Sequence, residues 1–178
     1  MNLKIIDNFY DEKDFNLMIS RTMLNTYNEC WHSNNKKFYN RFNAYPCFET
    51  KMFVETDILH NIFCKTFQEK TGFVIDKVNT FFRKIYSSEL KHIFKYGLSP
   101  HTDNKNFEIA GIIYFNTFSL DDGTGIFSEF ENGQIEPDVI IGAKPNRCVF
   151  YDSQIFHRPL QNKNTKIRIV QPFFIKLK

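Results

Sequence analysis

The sequence predicts a mainly β domain with flanking helices, a sandwich or barrel of short strands with the helices packed on one of its sheets. Three observations carry this expectation. Helical spacing of apolar residues is confined to the first 72 positions. From Phe73 onward the pattern changes to short β-like runs punctuated by Gly, Asn, Asp and Pro. Finally, 178 residues with neither an internal repeat nor a linker suffice for one core. A single domain over residues 1–178 is expected, with 1–72 as helical support and lid and 73–178 as the β core.

Taken in order, Leu3 to Ile6 reads as a short strand. Asp11 or Asp14 then caps a helix whose Phe15, Met18, Ile19 and Met23 fall roughly at helical spacing. From Asn28 to Glu49 polar and aromatic residues follow one another without a clear period, as in a long ordered loop or irregular strands. Within it, Trp31 to Phe48 is a candidate wall or lid over a substrate, with simple packing as the alternative. Ile58, Leu59, Ile62, Phe63 and Phe67 share one face of a helix over Val54 to Lys70, which Gly72 ends. The β-like runs follow: Val74 to Tyr86, Leu98 to Asp103, Glu108 to Thr117, Thr124 to Phe130, Asp138 to Ile141, Cys148 to Asp152 and Lys166 to Leu177. Turn residues separate them, among them Asp121-Asp122-Gly123, Asn132-Gly133, Lys144-Pro145-Asn146 and Asn162-Lys163-Asn164.

Composition narrows the function. With 21 Phe and 8 Tyr, the core is expected to be rich in aromatic rings. A formal net charge of +3 in mixed signs gives no concentrated basic face, so a nucleic-acid partner is not indicated. Cys30, Cys47, Cys64 and Cys148 stand far apart with no C-x-x-C pair, the pattern of free thiols in a reducing compartment. The opening Met1 to Asp7 reaches charge too soon for a signal peptide, and no later run is apolar enough to span a bilayer. The expectation is a soluble cytoplasmic protein without a membrane partner.

The chemistry is carried by a few polar residues in the β half. In Pro100-His101-Thr102-Asp103, His101 and Asp103 stand two apart on a predicted strand and project from one face. His157 follows the Cys148 to Asp152 strand; it is either a structural histidine or a third ligand. Two histidines and one carboxylate with open positions opposite form the facial triad of non-haem Fe(II) oxygenases. Arg168 lies eleven residues beyond His157 in the next strand, sharing a face with Val170, Pro172 and Phe174. A cation on so apolar a face needs an anion, either an internal Glu or Asp or a dicarboxylate co-substrate that a planar guanidinium grips bidentately. Pro172 suggests a bulge or an edge in that strand. His32, His60 and His92 have no partner at metal-ligand spacing.

These motifs, in this order, resemble the signature of the Fe(II)/2-oxoglutarate-dependent dioxygenases, especially the prolyl-hydroxylase-like branch. The matches are His101-Thr102-Asp103, the distal His157 and Arg168 beyond it. To these add the opening Ile5-Ile6-Asp7-Asn8-Phe9-Tyr10, Ile113-Tyr114-Phe115-Asn116, Gly123-Thr124-Gly125-Ile126-Phe127, Pro145-Asn146-Arg147-Cys148-Val149-Phe150-Tyr151 and Arg168-Ile169-Val170. The resemblance implies a double-stranded β-helix, or jelly roll, with the N-terminal helices on its major sheet. It implies that His101, Asp103 and His157 bind Fe(II) and that Arg168 holds the distal carboxylate of 2-oxoglutarate. Phe174 would form a pocket wall. Tyr86 either lines the same pocket or is a core aromatic. Two positions depart from close relatives, Ile113 where a tyrosine is frequent and Val170 where some carry Ser or Thr.

The implied reaction consumes 2-oxoglutarate and O2 and hydroxylates a protein side chain such as proline, or a small molecule, with release of succinate and CO2. A cupin-like metalloprotein and a metal-free β-helix binding module are the alternatives, and the buried cation at position 168 disfavours both.

Overall fold

The computed structural model describes residues 3–31, 46–86, 100–128, 134, 136–160 and 165–178. Among them Asp11 caps α1 (Glu12–Leu24), its carboxylate accepting the Asp14 amide at 2.7 Å. Helix α2 (Ile58–Thr71) begins four residues later than the apolar spacing predicts. The cause is a turn in which the Asp57 amide donates to the Val54 carbonyl at 2.7 Å, after which the Asp57 carboxylate accepts the Leu59 amide at 2.9 Å as the N-cap. Gly72 closes the helix with φ at 75°, a left-handed conformation that suits glycine.

Among the described residues there are eleven strands: β1 (Leu3–Ile6), β2 (Asn28–Trp31), β3 (Pro46–Glu49), β4 (Ile75–Thr80), β5 (Arg83–Tyr86), β6 (Ile109–Tyr114), β7 (Ser119–Phe127), β8 (Val139–Ala143), β9 (Cys148–Asp152), β10 (Phe156–Pro159) and β11 (Ile167–Leu177). They form two antiparallel sheets. The larger runs β1-β9-β6-β11-β5-β3-β2, with β4 also paired to β11, and the smaller runs β10-β7-β8. The described residues are mainly β with two helices, as the sequence predicts.

Some expectations change in detail. The run Val74 to Tyr86 is two strands, broken at Phe81-Phe82, which pair with successive halves of β11. Asp121-Asp122-Gly123 is not a free turn but lies within β7, where the register with β8 slips between Ser119 and Thr124 and absorbs the extra residues as a bulge. Pro172 sits in a central strand rather than at an edge. The amides of Glu108 and Phe115 donate to the carbonyls of Ile175 and Ile169, so odd-numbered backbone groups of β11 face β6. Pro172 therefore turns its missing N–H toward the gap between β4 and β5, where no ladder partner is required. Of Trp31 to Phe48, the described part forms the edge hairpin β2–β3. Residues 32–45 lie outside the described residues, as do His32, His92, Asn132-Gly133, Asn162-Lys163-Asn164 and positions 98–99 of the Leu98 to Asp103 run.

Apolar side chains occupy both faces of the larger sheet. On one face Phe63 and Phe67 of α2 meet Phe173 of β11 with ring centroids 4.9 and 5.6 Å apart, and Phe15 of α1 stacks on Phe115 at 5.7 Å. The other face packs Ala110, Tyr114, Val149, Tyr151 and Val170 against Ile126 and Ile141 of the smaller sheet. Period-two alternation along β11 thus puts Ile169, Phe173 and Ile175 toward the helices, and Arg168, Val170, Pro172 and Phe174 toward the space between the sheets. Among the described residues no helix is long and apolar enough to cross a membrane.

The junction of β7 and β8 leaves no room for a side chain at Gly123, where an added Cβ would overlap the carbonyl of Ile141. Gly123→Ala is expected to destabilise the fold by about 1–3 kcal/mol, the usual range for overpacking. A urea-denaturation midpoint equal to that of the unsubstituted protein would show that the strands part at no cost.

Candidate metal centre

His101 and Asp103 are positioned by backbone pairing with the segment that carries His157. His101 and His157 form an isolated bridge, each N–H donating to the other's carbonyl, at 3.0 and 2.9 Å. Two residues on, the Asp103 amide donates to the Ser153 carbonyl at 2.8 Å. Ser153 is fixed in turn by its amide on Glu108 and its hydroxyl on Phe107. The three side chains converge, and one ligand atom from each of His101, Asp103 and His157 lies within 4.8 Å of the others.

The electrostatics favour a cation at this point. His157 is buried, and burial pushes its imidazole down to about 4, so it is neutral at ordinary pH. Its Nδ1 lies 3.0 Å from the Ile155 carbonyl, which only accepts; Nδ1 therefore carries the proton and Nε2 the lone pair. That Nε2 stands 3.4 Å from Oδ2 of Asp103. With the imidazole neutral this contact is not an ion pair. A lone pair facing a carboxylate oxygen is repulsive until a proton or a metal ion lies between them. Two imidazoles and a carboxylate are also the donor set of the open-sided Fe(II) triad, so the residues fit a divalent first-row metal. The Ile155 carbonyl supplies the outer hydrogen bond that orients a ligating imidazole, and the Tyr151 ring packs 4.7 Å from that of His157.

The triad opens onto a cavity of about 570 Å³ between the two sheets, whose wall includes Arg168, Thr124, Tyr151, Phe174 and Arg83. Arg168 is 1% exposed. Its Nη1 donates to the carbonyls of Asp122 at 2.9 Å and of Gly123 and Leu160 at 3.3 Å. These neutral acceptors fix the plane of the guanidinium on the cavity wall. His101, Asp103, His157 and Arg168, all singled out in the sequence, are therefore brought together.

Tyr86 does not join them. It pairs in register with Ile167, one residue out of step with Arg168, so it points to the opposite face of the sheet and packs edge-on against Phe48 with centroids 5.3 Å apart. The inner face carries Tyr151, which lines the cavity, and Tyr114, opposite Val170 in register. Its buried hydroxyl lies 2.6 Å from Oγ1 of Thr124, and burial raises its pKa while the nearby Arg168 charge opposes the rise. The signal was its shared parity with Ile112 on an inward face. Arg83, also missed, carries the signal that exposed Arg168, a cation on the inner face of a strand. His60 is half-buried with Nδ1 3.7 Å from Sγ of Cys64 and takes no part in this site.

No protein-family model matches the chain, and no curated protein matches it in sequence. Solved structures do match in shape. A 2OG-Fe(II) oxygenase family oxidoreductase from Burkholderia pseudomallei superposes with a TM-score of 0.65 at 9% identity, over 98% of this chain and 84% of that one. A prolyl-4-hydroxylase from Pseudomonas putida gives 0.61 at 8% identity, over 99% and 92%. HygX from Streptomyces hygroscopicus, solved with nickel and 2-oxoglutarate bound, gives 0.61 at 6% identity, over 97% and 82%. At such identities the likeness is one of fold, and the fold is the jelly roll of these oxygenases.

Proposed function

We propose that this chain is a single-domain Fe(II)- and 2-oxoglutarate-dependent oxygenase, which hydroxylates a protein side chain or a small molecule and releases succinate and CO2. The observation that carries the reading is the meeting of a two-histidine, one-carboxylate donor set with a buried arginine in one cavity. His101, Asp103 and His157 would hold the metal, and Arg168 would hold the distal carboxylate of 2-oxoglutarate through its planar fork. When bound, Fe(II) supplies the activation of O2 that couples decarboxylation of 2-oxoglutarate to insertion of one oxygen atom into a substrate C–H bond.

The chain's own residues bind, orient and exclude water. Asp103 would offset one of the two charges of a divalent metal, leaving the other to attract an anionic chelator. The Ile155 carbonyl keeps the His157 proton on Nδ1, so Nε2 stays available. Arg168 gives the co-substrate one orientation, and Thr124, whose hydroxyl lies 2.6 Å from that of the buried Tyr114, adds a polar group to the same wall. Phe107 and Phe174, 6.1 Å apart, give the cavity part of its apolar lining, a surface that favours exclusion of water around a bound co-substrate.

The test is anaerobic addition of Fe(II) and then 2-oxoglutarate, with absorbance and O2-dependent succinate release as readouts. A visible charge-transfer band that needs both additions is expected. Metal uptake with no response to 2-oxoglutarate would instead fit a cupin-like metalloprotein. The same reading predicts hydroxylation rather than halogenation, because Asp103 keeps the carboxylate where a halide would otherwise coordinate. Product from turnover in chloride buffer should gain one oxygen by mass; chlorinated product would overturn the assignment of Asp103.

A further inference from the structure

We propose that His60 and Cys64 of α2 form a second cation site, apart from the His101, Asp103 and His157 centre, for a borderline-soft divalent ion of the zinc class, with Glu55 as its third donor. The site uses none of the residues of the oxygenase reading and does not depend on it. His60 and Cys64 are four positions apart on α2, so they share a face of the helix, and both are half-buried. His60, which the sequence reading leaves without a partner at metal-ligand spacing, gains one here.

The distances suit a chelate. Sγ of Cys64 lies 3.7 Å from Nδ1 and 3.8 Å from Nε2 of His60. A zinc ion about 2.3 Å from sulfur and about 2.0–2.1 Å from an imidazole nitrogen, at a tetrahedral angle, holds those two atoms about 3.6 Å apart. The pair faces a groove of about 680 Å³ beside α2 and β4, whose lining also includes Glu55 and Asp76. The Glu55 charge acts on the thiol: burial first, and that charge second, push Cys64 up to about 11. A cation beside the sulfur reverses both effects, and the thiol proton passes to solvent as the ion binds. Thiolate and imidazole together select zinc over magnesium, calcium or manganese. The site also has a place in the architecture. Glu55 belongs to the turn before α2, and Phe53 at the start of that turn donates its amide to the Thr80 carbonyl at 2.9 Å. Met52, its neighbour, lines the cavity of the triad. An ion joining Glu55 to α2 braces the segment that brings Met52 there.

The test titrates the full chain with Co(II) as the probe, anaerobically and without 2-oxoglutarate, and reads the near-ultraviolet thiolate-to-cobalt band. The triad contains no sulfur, so this band reports the second site alone. It should form as about one equivalent of Co(II) fills that site and vanish when Zn(II) displaces the cobalt. His157→Ala should keep the band, and Cys64→Ser should lose it. His60→Ala should weaken binding at this site by at least about tenfold, and Glu55→Gln by a smaller factor. Circular dichroism without metal establishes that each variant is folded; should Cys64→Ser not fold, His60→Ala gives the same reading. The proposal is overturned if no thiolate band forms, if the band survives Cys64→Ser, or if His60→Ala or Glu55→Gln binds cobalt as tightly as the unsubstituted chain. A band that grows only with cobalt in large excess marks an adventitious ion only and overturns it as well.

Discussion

His157→Ala is expected to abolish the anaerobic Fe(II)–2-oxoglutarate band and to weaken metal binding by more than about 100-fold. Loss of an outer hydrogen bond to a ligand alone commonly costs 10–100-fold, and here a ligand itself is removed. The reason lies in the contact with Asp103. The Nε2 lone pair and the carboxylate oxygen lie 3.4 Å apart, and truncation removes one side of that unfavourable contact. The variant should therefore fold without metal, and the deficit should appear only when metal is added. Added divalent metal should raise the melting temperature of the unsubstituted protein and leave that of His157→Ala unmoved, because only a binder of the native state shifts the unfolding equilibrium. The matching result is expected for His101→Ala. A band of ordinary intensity in either variant would remove that residue from the ligand set.

Arg168→Ala should weaken 2-oxoglutarate far more than it weakens Fe(II). Removing one partner of a buried, bidentate charge pair costs about 3–5 kcal/mol, or roughly two to three powers of ten or more in affinity. The carbonyls that hold Nη1 keep the guanidinium from folding away, so little of the interaction is spent on ordering the side chain. Arg168→Lys should recover only a fraction, since an ammonium is a point charge without the fork. The measurement is the 2-oxoglutarate dependence of succinate release, set beside metal affinity determined separately. If Arg168→Ala binds 2-oxoglutarate within a few-fold of the unsubstituted protein, the arginine is a structural group and the metal-only reading moves ahead.

What the sequence reveals and what it hides follows from how far apart the determining contacts are. The triad is legible because coordination demands particular side chains, and the H-x-D spacing sets two of them side by side. Arg168 is legible because an ion on an apolar strand face contradicts its surroundings. Tyr86 shows the opposite case. Parity with Val78 and Phe82, both in the helix-facing core, places it on that face, and the family likeness pointed the other way. The bulge at Asp121-Asp122-Gly123 shares its residue types with a turn, and only pairing with β8 separates the two. Strand β10 was missed because its four residues, including His157, are defined by partners on β7. The Arg83–Glu49 pair joins residues 34 positions apart, a separation over which no local pattern carries information.

The placing of β11 bears on the order in which the molecule is made. Its neighbours β4, β5 and β6 all precede it along the chain, yet β11 lies between β6 on one side and β4 and β5 on the other. As a nascent chain leaves the ribosome, two strand edges therefore wait for a partner that has not been translated, and open edges are where chains aggregate. The same strand brings Arg168. Insertion of β11 closes the sheet and delivers the proposed 2-oxoglutarate cation in one event, so a partly synthesised chain could assemble the histidines and the aspartate yet have no means of gripping the co-substrate.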